Sequence, residues 1–205
     1  WKTDLHGDFR QKVTDFRPHL MVVTCVEDTF LQAVSLLAAV DDLEIPSIVG
    51  GVFVTAAPDK ALQFPPVRMI GIGDGEEIVK TVAERVQAGQ SCKDIPGVWL
   101  RRYDGTIHKT PRGPVTDIDR LPVADFSLFE ESRFYRPMGG RIHRTIPLET
   151  YRGCPYACSF CNSPMQWQLT KAEGAGNFLR RKRIPLLREE IRELSDRYGP
   201  DLFYI

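Results

Sequence analysis

The stretch that most constrains this chain is Arg152-Gly153-Cys154-Pro155-Tyr156-Ala157-Cys158-Ser159-Phe160-Cys161, which places three cysteines at C-x3-C-x2-C spacing. Thiolates are soft ligands, and three on one short loop can hold three corners of a cubic iron–sulfur cluster. A fourth cysteine, needed for a closed ferredoxin-type cage, is not nearby, because Cys25 and Cys92 lie far back in the chain. One iron is then left without a protein ligand and can take a small molecule, which makes the site one for chemistry as well as structure. A zinc site would need a fourth ligand, for which His143 is the nearest candidate. Disulfide pairing sits poorly with an odd total of 5 cysteines and with three of them crowded on one loop.

The rest of the composition is that of an ordinary globular chain. It has 205 residues, 42% hydrophobic and 26% charged, enough to bury a core. Lys+Arg and Asp+Glu number 27 each, so net charge gives no argument for nucleic acid or an acidic membrane surface. No run has the length of a membrane span, and Trp1-Lys2-Thr3-Asp4 does not read as a signal peptide. Unpaired thiols fit a reducing, cytoplasmic setting. The missing initial methionine and the strand-like end at Asp201–Ile205 lead us to expect a piece of a longer protein.

Residues 1–115 read as one α/β domain. Residues 19–24 form a short apolar run of β-formers. Asp28 is placed to cap a helix whose apolar stripe includes Leu31, Val34, Leu37 and Ala38. Ser47-Ile48-Val49 gives a second buried strand ending at Gly50-Gly51, and residues 67–72 a third ending at Gly71-Ile72-Gly73-Asp74-Gly75-Glu76-Glu77. Asp74 with Glu77 has the spacing of a capping box for the helix carrying Ile78, Val82 and Val86. Alternating strands and helices predict a parallel sheet with right-handed crossovers, whose ligands bind beyond the carboxyl ends of the strands. Thr24, Gly50, Gly51, Gly73, Gly75 and Glu76 all fall at those ends. Glycines there either let a backbone approach a ligand or simply make tight turns. Asp104-Gly105 between two β-prone runs predicts a hairpin.

Residues 116–144 read as a linker, broken by Pro122, Pro137, Gly139 and Gly140, with Phe126, Phe129, Phe134 and Tyr135 packing it against its neighbours. Residues 145–205 open a second domain. Residues 145–151 make its first strand, the cysteine loop follows, residues 162–182 read as an extended loop, and Arg180–Arg183 is a dense basic run. Leu187, Ile191, Leu194 and Tyr198 then form one helical stripe ended by Gly199-Pro200, before a further strand at 201–205.

The cysteine spacing, with Phe160 before the last cysteine, resembles the signature of the radical S-adenosylmethionine (SAM) superfamily. The resemblance implies a [4Fe–4S] cluster on Cys154, Cys158 and Cys161, SAM on the open iron, Phe160 near the adenine, and cleavage of SAM to a 5′-deoxyadenosyl radical. Thr24, the Gly50-Gly51 pair and the G-x-G-D-G-E-E run resemble the cobalamin (B12)-binding domain that precedes many such cores. That implies a groove for cobalamin lined by Thr24, Gly50, Gly51, Gly73, Gly75 and Glu76. The D-x-H-x-x-G of that family would fall upstream of Thr24, and Asp4-Leu5-His6-Gly7-Asp8 has a different spacing. The implied fold is α/β, a Rossmann-like B12-binding domain followed by the start of a radical SAM partial (β/α)6 TIM-like barrel. The implied activity is a radical SAM enzyme, B12-dependent, with a methyltransferase acting on an unactivated carbon of a small-molecule substrate as the foremost outcome. Its electron donor would be a flavodoxin or ferredoxin. The alternatives are a radical SAM enzyme whose B12 domain is non-functional, such as a cyclase or methylthiotransferase, and a non-catalytic iron–sulfur electron-transfer module.

Overall fold

The computed structural model describes residues 4–205, so the reading made on Trp1–Thr3 lies outside the described residues. The chain divides into two compact units. The first comprises the residues up to Thr116 together with Ala157–Gly176, and the second Asp117–Tyr156 with Asn177–Ile205. Among the described residues no helix is long and apolar enough to cross a membrane.

The first unit is a mixed α/β layer structure. Helix α1 (Leu5–Phe16) leads to β1 (Met21–Thr24), α2 (Glu27–Ala38), β2 (Ser47–Gly50), α3 (Val52–Ala56) and α4 (Pro58–Ala61). Then come β3 (Met69–Gly71), α5 (Glu76–Gln87), β4 (Val98–Arg101), β5 (Ile107–His108) and, from beyond the cysteine loop, α6 (Ser163–Ala172). The sheet runs β1-β2-β3-β4-β5, with β1, β2 and β3 parallel and β4 and β5 added antiparallel. The Asp104-Gly105 turn joins the last two strands as expected. Adjacent strand residues serve opposite faces. Val49 and Ile70 pack with Phe30, Val54 and Leu62, while Ile48 and Met69 pack with Ile78 and Val82 of α5.

Several local expectations are corrected. Helix α1 was not anticipated, because its only buried side chain is Val13. It is fixed instead by the Asp4 side chain, which accepts from the Gly7 N–H at 2.8 Å, and by Arg10, which grips Asp42 through two contacts of 2.6 and 2.7 Å. Asp28 lies inside the first turn of α2, whose start is closed by Thr29 Oγ1 accepting from the Val26 N–H at 3.1 Å. The buried stripe of α2 runs through Phe30 and Leu37, leaving Leu31 exposed. The Asp74–Glu77 box is not formed, since α5 starts after Gly75 with no side-chain cap.

The second unit holds β6 (Tyr135–Met138), β7 (Arg141–Pro147), β8 (Tyr151–Arg152), β9 (Arg180–Arg181), α7 (Ile184–Tyr198) and β10 (Leu202–Tyr204). Its main sheet is ordered β10-β7-β6, with β10 parallel and β6 antiparallel to β7. The strand expected over 145–151 instead runs from Arg141 to Pro147, and Tyr151-Arg152 forms a separate short strand paired with β9. Gly139-Gly140, read in the sequence as a break in the linker, forms the turn between β6 and β7 with φ of 58° and 76°, a pair of left-handed residues suited to a tight hairpin. The α7 stripe is as expected. Leu194 and Tyr198 are buried with Phe134, Ile146 and Leu148, and Gly199 ends the helix at φ 52°. Phe126 meets Phe134 and Tyr198 edge-on at 5.8 and 5.7 Å between ring centroids, so these connector aromatics build a core.

Candidate functional site

The carboxyl ends of the parallel strands bring together most of the glycine-loop residues singled out in the sequence. Thr24 stands opposite Gly50 in the β1–β2 register. Immediately beyond them the Cys25 N–H donates to the Gly50 carbonyl at 3.1 Å. Gly51 has φ of 102°, and a β-carbon there would stand 2.3 Å from the Cys25 carbonyl oxygen and 3.0 Å from Thr24 Oγ1. Only glycine fits this corner. Cys25 itself is 4% exposed, and burial pushes its thiol pKa up.

After β3 the chain turns through Gly73, at φ 94°, whose N–H donates to Thr55 Oγ1 of α3 at 3.0 Å. That bond ties the loop after β3 to the helix that follows Gly50-Gly51. At Gly75 a β-carbon would meet nothing within 4 Å, so this glycine borders open space. Glu76 is engaged by Thr116, whose hydroxyl donates to Glu76 Oε2 at 3.2 Å. Asp74 Oδ2 accepts from the Thr116 N–H at 2.8 Å. These acidic residues thus hold the segment around Thr116, and a cavity of about 130 Å³ lies between that segment and α5, lined in part by Asp74, Glu77 and Thr116.

The cysteine motif is divided. Cys154 belongs to the second unit, and Cys158 and Cys161 to the first. Cys154 is half-buried and preceded by Gly153, at φ 94°, where a β-carbon would stand 2.4 Å from the Phe178 carbonyl oxygen. Cys158 and Cys161 are exposed. The Cys161 N–H donates to the Cys158 carbonyl at 3.2 Å, and Cys161 Sγ accepts from the Ser163 N–H at 3.4 Å. Phe160 between them is 91% exposed, an apolar ring with its faces uncovered. Among the described residues no three His, Cys, Asp or Glu side chains form a group that could hold a metal ion. The donor set nevertheless suits an iron–sulfur cluster by its chemistry. All three thiols are free, and one already receives a backbone N–H of the kind that tunes a metal-bound sulfur.

The stretch expected as a loop after Cys161 is helix α6, with a proline in its first turn. Ser163-Pro164 was the sequence signal for it, hidden by the polar composition of the residues that follow. Gln166 Nε2 donates to the Val52 carbonyl at 3.4 Å, beside Gly50-Gly51. The Thr170 hydroxyl accepts from Arg112 Nη1 at 3.1 Å, and the Val115 N–H donates to the Ala175 carbonyl at 2.7 Å. Within the first unit the helix that follows the cysteines is therefore bound to the glycine loops. Sequence reasoning missed Arg112, which sits among prolines and glycines with no periodicity to mark it.

The basic run is engaged in ion pairs. Lys182 Nζ meets Glu190 at 2.5 Å, with side-chain exposures of 7% and 11%, and Arg183 Nε meets Asp119 at 2.8 Å.

No protein-family profile matches the chain. It is 29% identical over 174 residues to the anaerobic magnesium-protoporphyrin IX monomethyl ester cyclase of Rubrivivax gelatinosus, covering 80% of this chain and 31% of that protein. It is 23% identical over 230 residues to the cytidylyl-2-hydroxyethylphosphonate methyltransferase of Streptomyces wedmorensis, covering 97% and 41%. Among solved structures, the radical SAM methyltransferase TsrM of Kitasatospora setae, with cobalamin and a [4Fe–4S] cluster bound, superposes with a TM-score of 0.61 at 18% identity, covering 95% of this chain and 38% of that one. The cobalamin-dependent SAM radical enzyme OxsB, with aqua-cobalamin and SAM bound, gives 0.65 at 16% identity, covering 96% and 26%. The chain thus spans 31% and 41% of the length of the two curated relatives. The curated relatives are enzymes by their names, and the solved structures share the chain's mixed α/β fold.

Proposed function

Taking this chain as a homologue of cobalamin-dependent radical SAM enzymes, we propose that it carries the cofactor-binding part of such an enzyme. Cys154, Cys158 and Cys161 hold a [4Fe–4S] cluster whose remaining iron takes SAM, and Phe160 lies against the adenine. Thr24, Gly50, Gly51, Gly73, Gly75 and Glu76 border a cobalamin groove. Residues 1–115 are the Rossmann-like cobalamin-binding domain, and β7, α7 and β10 begin the partial barrel. The observation that carries this reading is the three-cysteine motif, two of whose thiols share a compact unit with glycine loops at the carboxyl edge of a parallel sheet.

When bound, the cluster supplies the single electron that splits SAM. The chain's own part is to bind and orient. The Ser163 N–H steadies one cluster thiol, and the exposed Phe160 ring offers a face for stacking. Gly51 lets the backbone beside Thr24 close to a distance that no side chain permits. The reaction is transfer of a methyl group to an unactivated carbon of a small molecule, with the electron delivered by a flavodoxin or ferredoxin in the cytoplasm. A cyclase is the second reading, favoured by the 29% identity to an anaerobic cyclase.

The test is to reconstitute the protein anaerobically with iron, sulfide and hydroxocobalamin, reduce it, and assay SAM cleavage. Formation of 5′-deoxyadenosine or S-adenosylhomocysteine, abolished in Cys158→Ala, supports the reading. A wild-type protein that carries the cluster and leaves SAM intact overturns it.

A further inference from the structure

Arg112 is a buried cation at an unusual place. Its side chain is 6% exposed, and its guanidinium lies across Gly73, where a β-carbon would stand 2.5 Å from Nε and 3.0 Å from Nη2. Nη1 donates to Thr170 Oγ1 at 3.1 Å, and its nearest carboxylate is Glu173 Oε2 at 3.8 Å, on a side chain 42% exposed. A long ion pair of that kind returns little of the cost of burying a guanidinium. Arg112 is therefore a poor device for stability, whereas its rigid planar fork is well suited to fixing the geometry of what it touches.

What it touches joins two proposed cofactor sites. Thr170 is fully buried, and its hydroxyl also donates to the Gln166 carbonyl at 2.8 Å, so the group is used as both donor and acceptor. Gln166 and Thr170 stand four residues apart on one face of α6. Through Gln166 that face reaches the Val52 carbonyl, at the start of α3 next to Gly50-Gly51, and through Thr170 and Arg112 it reaches Gly73, in the loop after β3. The same helix starts at Ser163, whose N–H is bonded to Cys161 Sγ. A shift of α6 would move a cluster thiol and both glycine loops together.

We infer that Arg112 is a positioning residue that locks the Gly73 loop to helix α6, so that cluster assembly on the cysteine loop shapes the cobalamin groove. This rests on the function proposed above. Coupling between two sites is reciprocal and has a typical size of about 5- to 150-fold in affinity.

The experiment measures cobalamin affinity by equilibrium dialysis in the iron-free protein and after cluster reconstitution, for wild type, Arg112→Met and the near-isosteric Thr170→Val. We expect the cluster to tighten cobalamin binding by about 10-fold in the wild type. Both variants are expected to keep their iron content and cooperative melting while the cluster effect falls below about twofold, a change that a purely structural role would not produce. Equal cobalamin affinity with and without the cluster in the wild type overturns the coupling and leaves the functional reading standing. Retained coupling in properly folded Arg112→Met and Thr170→Val overturns it equally. A wild-type protein that binds no cobalamin in either state overturns the cobalamin reading itself, and this inference with it.

Discussion

Gly51 is packed so closely on Cys25 that a β-carbon at position 51 would stand 2.3 Å from the Cys25 carbonyl oxygen. The backbone at Gly51 is also left-handed, at φ 102°. Gly51→Ala is therefore expected to destabilise the first unit by about 2 kcal/mol or more, because strain and overlap add. Gly75→Ala is the control, since its φ of −87° suits any residue and a β-carbon there meets nothing within 4 Å. We expect it to change stability by no more than about 0.5 kcal/mol. Urea titrations of both variants against wild type check the contrast, and equal midpoints would refute it.

The thiols should divide by reactivity. Burial pushes the pKa values of Cys25 and Cys92 up, so at neutral pH both are held as slow-reacting thiols. Cys158 and Cys161 are exposed. Timed alkylation of the iron-free protein, read by peptide mass spectrometry, is expected to label Cys158 and Cys161 first and Cys25 last. Reconstitution with iron and sulfide should then protect Cys154, Cys158 and Cys161 and leave the rates at Cys25 and Cys92 unchanged.

The Lys182–Glu190 pair predicts an asymmetric mutational response. With both side chains about nine-tenths buried and 2.5 Å apart, Glu190→Ala strands an ammonium away from water. Its expected cost is about 3 kcal/mol. Lys182→Met combined with Glu190→Leu removes both charges and is expected to cost clearly less. Chemical denaturation of the two variants decides between them, and similar losses would contradict this account.

Acid should loosen the second unit. The Asp125 carboxyl is held below the ordinary Asp value of 3.8, chiefly by the Ser127 hydroxyl and then by the Ser127 N–H and the Tyr198 hydroxyl. Asp119 is lowered in the same direction, first by the Arg183 N–H. A carboxyl depressed in the folded state contributes stability above its unfolded pKa and loses it as pH falls through the folded value. Stability should therefore drop as pH falls below 3.8, and Asp125→Asn should flatten that dependence. Melting curves from pH 7 to pH 2 measure it.

Much of this was legible in the sequence where a single physical signal dominated. The short apolar runs at 19–24 and 47–49 and the α7 stripe gave strands and a helix, and burial decides β2 and α7. The first run is instead a half-exposed edge strand, with Val22 53% exposed. The polar start of α6 hid a helix, since it is fastened by side-chain bonds from Gln166 and Thr170 and less by an apolar face. Helix α1 was missed for the same reason, its anchor being the Arg10–Asp42 pair. The Asp74–Glu77 spacing misled because Asp74 is engaged by Thr116, a partner forty-two residues away that no local pattern reveals. At the candidate site the glycine corner at Thr24, Gly50 and Gly51 was readable because strand ends and left-handed turns leave a composition. Arg112 left none.

The central claim is an open iron held by three thiols, and electron paramagnetic resonance of the reconstituted, dithionite-reduced protein tests it most directly. The account predicts a [4Fe–4S]+ signal that changes shape when SAM is added and disappears in Cys158→Ala. A cluster signal that is identical with and without SAM would contradict it and would make the cluster an electron carrier or a scaffold.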